Sequence, residues 1–387
     1  MIVQDLVNAM ESIAPLSLKE SWDKVGLQLG NPQRSITGPI LLTIDLTERV
    51  LQEAIDAKAS AIVAYHPPIF SPIEALTDRT HTERIIRGCA EAGIAIYTPH
   101  TALDAAEDGI ADWLCEGVSA PAGEAQQGVM HGDCRALIPA TGGNPDREVK
   151  VITFVPNEAV DLLRGALGTA GAGGMGNYKL CSFSSVGEGT FLPQDGANPN
   201  IGKVGSLQRV DETRIEMVCS RRSLALVIET LKEFHPYETP AYDILELVPE
   251  PVRGLGSGRR LVLDRPTDIA NISDRLKHHL DRSRIRYALA MGHESSKHVF
   301  QTIAIVPGSG GSLWHDACEQ GCELFVTGEM THHNILAARQ SGISILLAGH
   351  TNTERGYLPR LKDKLVQLLP DASIIMSNSD HDHITVG

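Results

Sequence analysis

Two distant stretches of the chain carry one signature: GIAIYTPHTALD at 93–104 and GISILLAGHTNTE at 342–354. Each is a short apolar run ending in His-Thr, and each places an acid four residues after that His: His100 with Asp104, His350 with Glu354. Runs of this length bounded by turn residues are buried strands. A second pair precedes them, AIVAYH (61–66) and ELFVTG (323–328), and amphipathic helical periods run through 48–59, 83–93, 312–321 and 335–342. Strands alternating with such helices predict βαβ units and a mostly parallel sheet. The repeat predicts an α/β protein of two lobes related by a pseudo-twofold axis. In sheets of this kind sites form beyond the carboxyl ends of the strands, where both His-Thr pairs fall.

The first lobe is expected over 1–140, with a helix at 3–14 ended by Pro15 and strands at 40–46, 61–66 and 94–100. The second is expected over 252–387, with strands at 302–308, 323–329 and 343–350. Between them the composition changes. Residues 116–132 and 139–148 are rich in Pro and Gly and are expected as loop or linker. From Val149 the pattern restarts: strand 149–155, helix 157–171, strand 178–185, a Gly- and Pro-rich excursion at 187–206, strand 214–220, helix 222–234 and strand 241–248. That order is ferredoxin-like. It predicts an α+β domain over 147–248 inserted into the other, with 249–258 as its exit linker.

Composition narrows the function classes. The 387 residues are 42% hydrophobic and 21% charged, which excludes wholesale disorder. No apolar run nears the ~20 residues of a membrane-spanning helix. MIVQDLVNAMESIAP carries acids where a signal peptide needs a basic start and a long apolar run. The seven Cys include no CxxC pair, which fits reduced thiols and a cytoplasmic location. Cys318 and Cys322, on one expected helix face, read as core thiols. With 34 Lys+Arg against 48 Asp+Glu, the net charge of −14 argues against general nucleic-acid binding.

The chemistry-bearing set is His66, Asp104, His350 and Glu354, all at or just past expected strand ends. Imidazole nitrogen and carboxylate oxygen without thiolate suit zinc, manganese or iron. Two carboxylates able to bridge also suit a two-metal centre with ions about 3.5–4 Å apart. For any one of these residues alone, capping of strand or helix ends is the simpler reading; the duplicated placement favours a site for the set.

Seven motifs run in order along the chain: SWDKVGLQLGNP (21–32), TIDLTERVLQEAI (43–55), AYHPPIF (64–70), PHTALD (99–104), VPGSGGSLW (306–314), VTGEMTHH (326–333) and GHTNTERG (349–356). Together they resemble the GTP cyclohydrolase type 2 homologue family, the Nif-three-like or YbgI/YqfO-like proteins. GNYKLCSFSSVGEGTF (176–191), GANPNIG (196–202) and FHPYETPAYDI (234–244) resemble the insert of its longer members, whose fold is of the PII/CutA type. The resemblance implies a toroidal homohexamer with a dinuclear metal centre in each subunit. Its ligand pattern falls here on His66, Asp104, His350 and Glu354. The family's His-His-Pro reads Tyr65-His66-Pro67 in this chain, so one imidazole is missing and one or two divalent ions per subunit are expected.

Around that set, His100 stands one helical turn before Asp104 and is a candidate proton carrier. Glu329, His332 and His333 hold the equivalent place in the second lobe, Glu329 and His332 being the acid/base candidates. Ordinary loop hydrogen bonding is the alternative for all of them. GSGGS (308–312) joins strand to helix and offers backbone N–H groups to a phosphate or carboxylate. Trp22, Asp23 and Gly26 read as a fixed turn, and SDHDHI (379–384) as a solvated tail.

Two functions follow. The first is a metal-dependent hydrolase, which by resemblance acts on a nucleotide such as GTP; Lys24, Arg49 and Arg355 are the bases near the motifs. The alternative is a non-catalytic metal-binding or metabolite-sensing hexameric scaffold. Neither involves a membrane.

Overall fold

The computed structural model describes residues 1–142, 146–295 and 298–384. It divides into two units, Met1–Ala140 with Val252–Gly387, and Thr141–Pro251.

Apolar spacing writes the first unit. Helix α1 (Val3–Ile13) buries Val3, Leu6, Met10 and Ile13, one stripe of a helical period. Strands β1 (Gly26–Leu29) and β2 (Ile40–Thr43) lead into α2 (Glu48–Asp56), whose Thr47 hydroxyl caps the Val50 amide. β3 (Ala61–Ala64) and α3 (His81–Ala92) follow; α3 ends at Gly93, where φ of +66° suits glycine. Then come β4 (Ala95–Thr98), α4 (His100–Ala105), α5 (Ile110–Ser119) and β5 (Gly132–Gly142).

The second unit holds β6 (Val149–Pro156), α6 (Val160–Thr169), β7 (Phe183–Phe191), β8 (Gln208–Cys219), α7 (Leu224–Phe234) and β9 (Tyr242–Glu246). Its four strands pair in the order β7-β8-β6-β9, every neighbour antiparallel. Val149, Val151, Ile215 and Met217 on one sheet face pack with Leu163, Leu167, Val227 and Leu231 of the two helices.

The chain returns to the first unit through β10 (Glu250–Thr267), α8 (Ile269–Leu280), β11 (Arg286–Ala288), β12 (Phe300–Ser309), α9 (Trp314–Glu319) and β13 (Leu324–Glu329). It finishes with α10 (His332–Gln340), β14 (Ser344–Leu347), α11 (Asn352–Arg355), α12 (Leu358–Leu368) and β15 (Ile374–Met376).

The two sheets of this unit repeat one plan. One runs β1-β4-β3-β2-β15 and the other β11-β14-β13-β12-β10-β5. Each begins with an antiparallel edge, β1 on β4 or β11 on β14, followed by three parallel strands. The copies differ at the next position: β15 is parallel to β2, whereas β10 is antiparallel to β12. The result is a mixed α/β fold of several sheets.

A single core joins Leu42, Val63 and Tyr97 of one sheet to Ile303, Val326 and Leu346 of the other through α5, α8 and α12. Helix α5 is buried almost all round. Gly117 makes this possible, because a Cβ there would lie 2.3 Å from the His279 ring of α8. Two buried cations are paired: Arg259 with Asp112, and Arg360 with Glu116. No helix among the described residues is long and apolar enough to cross a membrane.

Several expectations are corrected. Of the stretch 249–258, expected as an exit linker, residues 250–258 are the first half of β10, an 18-residue strand. Within 116–132, residues up to Ser119 belong to α5; of 139–148, residues 139–142 belong to β5 and 143–145 lie outside the described residues. Strand β7 starts at Phe183 and runs to Phe191, into the expected Gly-rich excursion. There, cross-strand pairing with β8 outweighs the glycines' weak strand preference. Cys322 lies beyond the end of α9, so it shares no helix face with Cys318.

Candidate metal centre

Strand pairing carries His66 to its place. Beyond β3 the ladder continues, the Tyr65 amide donating to the Thr43 carbonyl and the His66 amide to that of Ile44. His66 therefore stands beside Asp45 at the carboxyl end of the sheet, and its Nδ1 lies 2.8 Å from Asp45 Oδ1. In the second copy, the Ala348 and Gly349 amides extend the ladder onto Thr327 and Gly328. His350 follows, with Nδ1 2.9 Å from Glu329 Oε1. Each imidazole is thus held at Nδ1 by a carboxylate, which turns Nε2 inward.

Both Nε2 atoms face Glu354 on α11: His66 at 3.5 Å from Oε2 and His350 at 3.4 Å from Oε1. One ligand atom from each of the three lies within 4.8 Å of the other two. Glu354 is 2% exposed, and its Oε2 is buried without a hydrogen-bond partner. A buried carboxylate oxygen left so is costly unless a cation completes it. Gly308, with φ of +59°, keeps the space open: a Cβ there would lie 2.6 Å from Glu354 Oε1 and 3.2 Å from His350 Nε2. Two imidazole nitrogens and a carboxylate fit a divalent transition metal.

Asp104 lines the same cleft outside that trio, its Oδ1 accepting a 2.7 Å hydrogen bond from the Tyr65 hydroxyl. Tyr65 is buried and its phenol is spent on Asp104. Burial raises the Asp104 carboxyl to about 7, with Tyr65 opposing and Glu354 adding to the rise. Burial pulls the His66 imidazole down, but Asp45 and Glu354 outweigh it and raise it to about 10 in the metal-free site.

His100 opens α4 with φ of +35°, a left-handed backbone uncommon for a side-chain-bearing residue. Its Nδ1 lies 2.7 Å from Oδ1 of fully buried Asp23, whose other oxygen accepts from the Thr101 amide at 3.1 Å. Asp23, expected as part of a turn, therefore orients His100. The cleft measures about 490 Å³ and is also lined by Trp22, Phe70 and the loop from Val306 to Leu313. Trp22 stands edge-on to His100 at 6.0 Å and 6.1 Å from Phe70, both rings half exposed.

The other candidates fall elsewhere. His332 and His333 are exposed at the start of α10, away from the cleft lining, while Glu329 supports His350. Two amides of the GSGGS loop are already used, Gly308 donating to Thr353 and Gly310 to Thr327. No Lys or Arg among the described residues lines the cleft. Arg355 instead pairs with Asp380 at 2.5 Å. Asp380 also accepts from the Ile44 amide at 2.7 Å, and His383 Nε2 lies 3.5 Å from Asp45 Oδ2. The tail expected in solvent is thus anchored behind Asp45. Asp45 was not singled out in the sequence, where the available signal was an acid just past a strand end, and Asp380 was read only as part of the solvated tail.

A family model described as Duf34/NIF3 (NGG1p interacting factor 3) matches residues 1–383. NIF3-like protein 1 of Rattus norvegicus is 33% identical, covering 100% of this chain and 93% of its own length. A Halalkalibacterium halodurans protein named GTP cyclohydrolase 1 type 2 homolog is 33% identical over 95% of this chain and 93% of its own. The crystal structure of a Bacillus cereus protein related to NIF3 superposes with a TM-score of 0.62 at 30% identity, covering 100% and 99% of the two chains.

Proposed function

This chain belongs to the Duf34/NIF3 family, and we propose that it is a metal-dependent hydrolase whose divalent cation, zinc, iron or manganese, is held by His66, His350 and Glu354. The observation that carries this reading is the buried, unpartnered Oε2 of Glu354 facing two oriented imidazoles. Asp104 serves as a further ligand if a second ion binds, once its Tyr65 bond is exchanged. When bound, the cation supplies Lewis acidity, polarising a substrate oxygen and making a water more acidic.

The chain's own residues do the rest. Asp45 and Glu329 hold the imidazoles so that Nε2 stays aimed at the ligand position. His100, steadied at Nδ1 by Asp23, offers Nε2 to move a proton. Trp22 and Phe70 give a flat substrate two aromatic faces at the cleft. Those faces, with the name of the Halalkalibacterium relative, support a nucleotide substrate. Among the described residues no Lys or Arg lines the cleft wall, so a bound cation would be what meets phosphate charge there.

In the same reading the chain is cytoplasmic, resting on its Cys pattern, and assembles as a homohexamer, resting on the family resemblance. Its domains are 1–140, 147–248 and 252–387. The insert is ferredoxin-like, as the all-antiparallel order β7-β8-β6-β9 with helical crossovers suggests, and the two sheets of the larger unit are related by a pseudo-twofold axis, as their common strand order suggests.

The test is hydrolysis of GTP and a phosphoester panel by chelator-treated protein resupplied with each metal, beside Glu354→Gln. Turnover that requires metal and disappears in the variant is expected. Protein that binds metal yet turns over nothing would leave the scaffold reading in its place.

A further inference from the structure

The insert's sheet carries helices on one face only, and the other face is built around a carboxylate. Glu212 and Arg214 of β8 alternate with the core-facing Thr213 and Ile215, and Phe154 of β6 pairs with Arg214. With residues 185–194, 199–201 and 237–239 they line a cavity of about 710 Å³, a size that holds a small organic molecule.

Glu212 is only 9% exposed. Its Oε1 accepts a 2.7 Å hydrogen bond from the Tyr237 hydroxyl, and among the described residues Oε2 accepts none. No Lys or Arg among the described residues forms an ion pair with it. Arg214 is taken by Glu216 and Arg209 by Glu188. His235 is spent twice, Nε2 on the Phe154 carbonyl and Nδ1 as acceptor from the Tyr237 amide, and burial lowers its pKa. With one hydrogen bond and no ion pair among the described residues, the Glu212 carboxylate lines the cavity as an acceptor open to a cationic ligand.

The strand opposite is cut away to make room. Gly187 lies across from Glu212 in register and has nothing within 4 Å of where a Cβ would be. Gly189 would place a Cβ 2.1 Å from Glu212 Oε2. Glycine inside a strand costs stability and marks close approach of a ligand or another group. Beside the carboxylate stand Phe191 and Tyr237, ring centroids 5.6 Å apart.

We propose that this cavity binds a small organic cation, an amine or amidine on a planar apolar body, with its charged nitrogen on Glu212 and its body against Phe191 and Tyr237. The inference does not depend on the metal centre.

The experiment uses the full chain with three isosteric probes, benzamidine, benzamide and benzoate, followed by ligand-observed NMR titration. Benzamidine is expected to bind at millimolar concentration, at least about tenfold more tightly than either analogue, as a charge-assisted bidentate contact gives. Chelator treatment should leave that binding unchanged, which separates it from the metal centre. Glu212→Gln should weaken it about tenfold or more, and Gly189→Ala should weaken it too by displacing the carboxylate, each variant being checked for an unchanged melting temperature. Undetectable benzamidine binding, equal binding of benzoate, or full retention by a folded Glu212→Gln protein would overturn the proposal.

Discussion

The Tyr65 hydroxyl donates a 2.7 Å hydrogen bond to Oδ1 of Asp104 within the cleft wall. The bond favours the ionised carboxylate against the burial that raises it. Tyr65→Phe should therefore push the Asp104 carboxyl further above about 7, readable by carbon-detected NMR titration of the metal-free protein. It should also cost about 1–3 kcal/mol in denaturant unfolding, as for a buried hydrogen bond to a charged group. An unmoved Asp104 titration would contradict this account of Tyr65.

Asp45 holds Nδ1 of His66 at 2.8 Å and is itself backed by Arg355 and His383. Carboxylates behind metal-binding imidazoles typically contribute about 10–100-fold in affinity. Asp45→Ala should weaken zinc binding by that order in competition with a chromophoric chelator. Removal of residues 379–387 should weaken it in the same direction, because Asp380 and His383 would go. Unchanged affinity in both proteins would mean that His66 is oriented by its strand alone.

Two groups of the site make contributions to metal-free stability that fall as pH rises. The fold raises His66 from 6.5 to about 10, so its contribution is fully present below 6.5 and lost as pH climbs through 10. It also raises Asp104 from 3.8 to about 7, favouring the protonated acid, so that contribution is present below 3.8 and lost by about 7. Urea midpoints of chelated protein should decline between pH 7 and 10, and His66→Gln should flatten that decline. In the acid window, where His279 and Asp45 are shifted down and act oppositely, the Asp104 part is read as the difference from Asp104→Asn. Metal affinity should move the opposite way, since binding needs deprotonated ligands. A metal-free midpoint that rises between pH 7 and 10 would contradict these assignments.

The parallel strands were legible because AIVA, AIYT and SILL are buried on every residue and bounded by turn residues. The repeated His-Thr ends located His100, Asp104, His350 and Glu354 for the same reason: strand ends are fixed by where apolar runs stop. What the sequence hid depends on side chains meeting over long separations. Asp23 meets His100 across 77 residues and Asp380 meets the Ile44 amide across 336, and no local pattern encodes such pairs. The inner strand β10 was also hidden. Its first half carries Gly254, Gly256 and Gly258, which read locally as linker, yet β5 lies alongside β10 in the sheet, and residues 259–267 go on to pair with β12. Gly256 carries φ of +136° with a Cβ position 2.1 Å from the Ile138 carbonyl oxygen, so the glycine serves close packing there.

The central claim is that His66, His350 and Glu354 together hold a divalent cation. The most direct test is metal content per chain by elemental analysis, on protein purified without chelator and again after reconstitution, for wild type, His350→Ala and Glu354→Ala. At least one equivalent in wild type, and less than half of that in each folded variant, is predicted. Wild-type protein without metal after reconstitution, or variants that retain the full content, would contradict it.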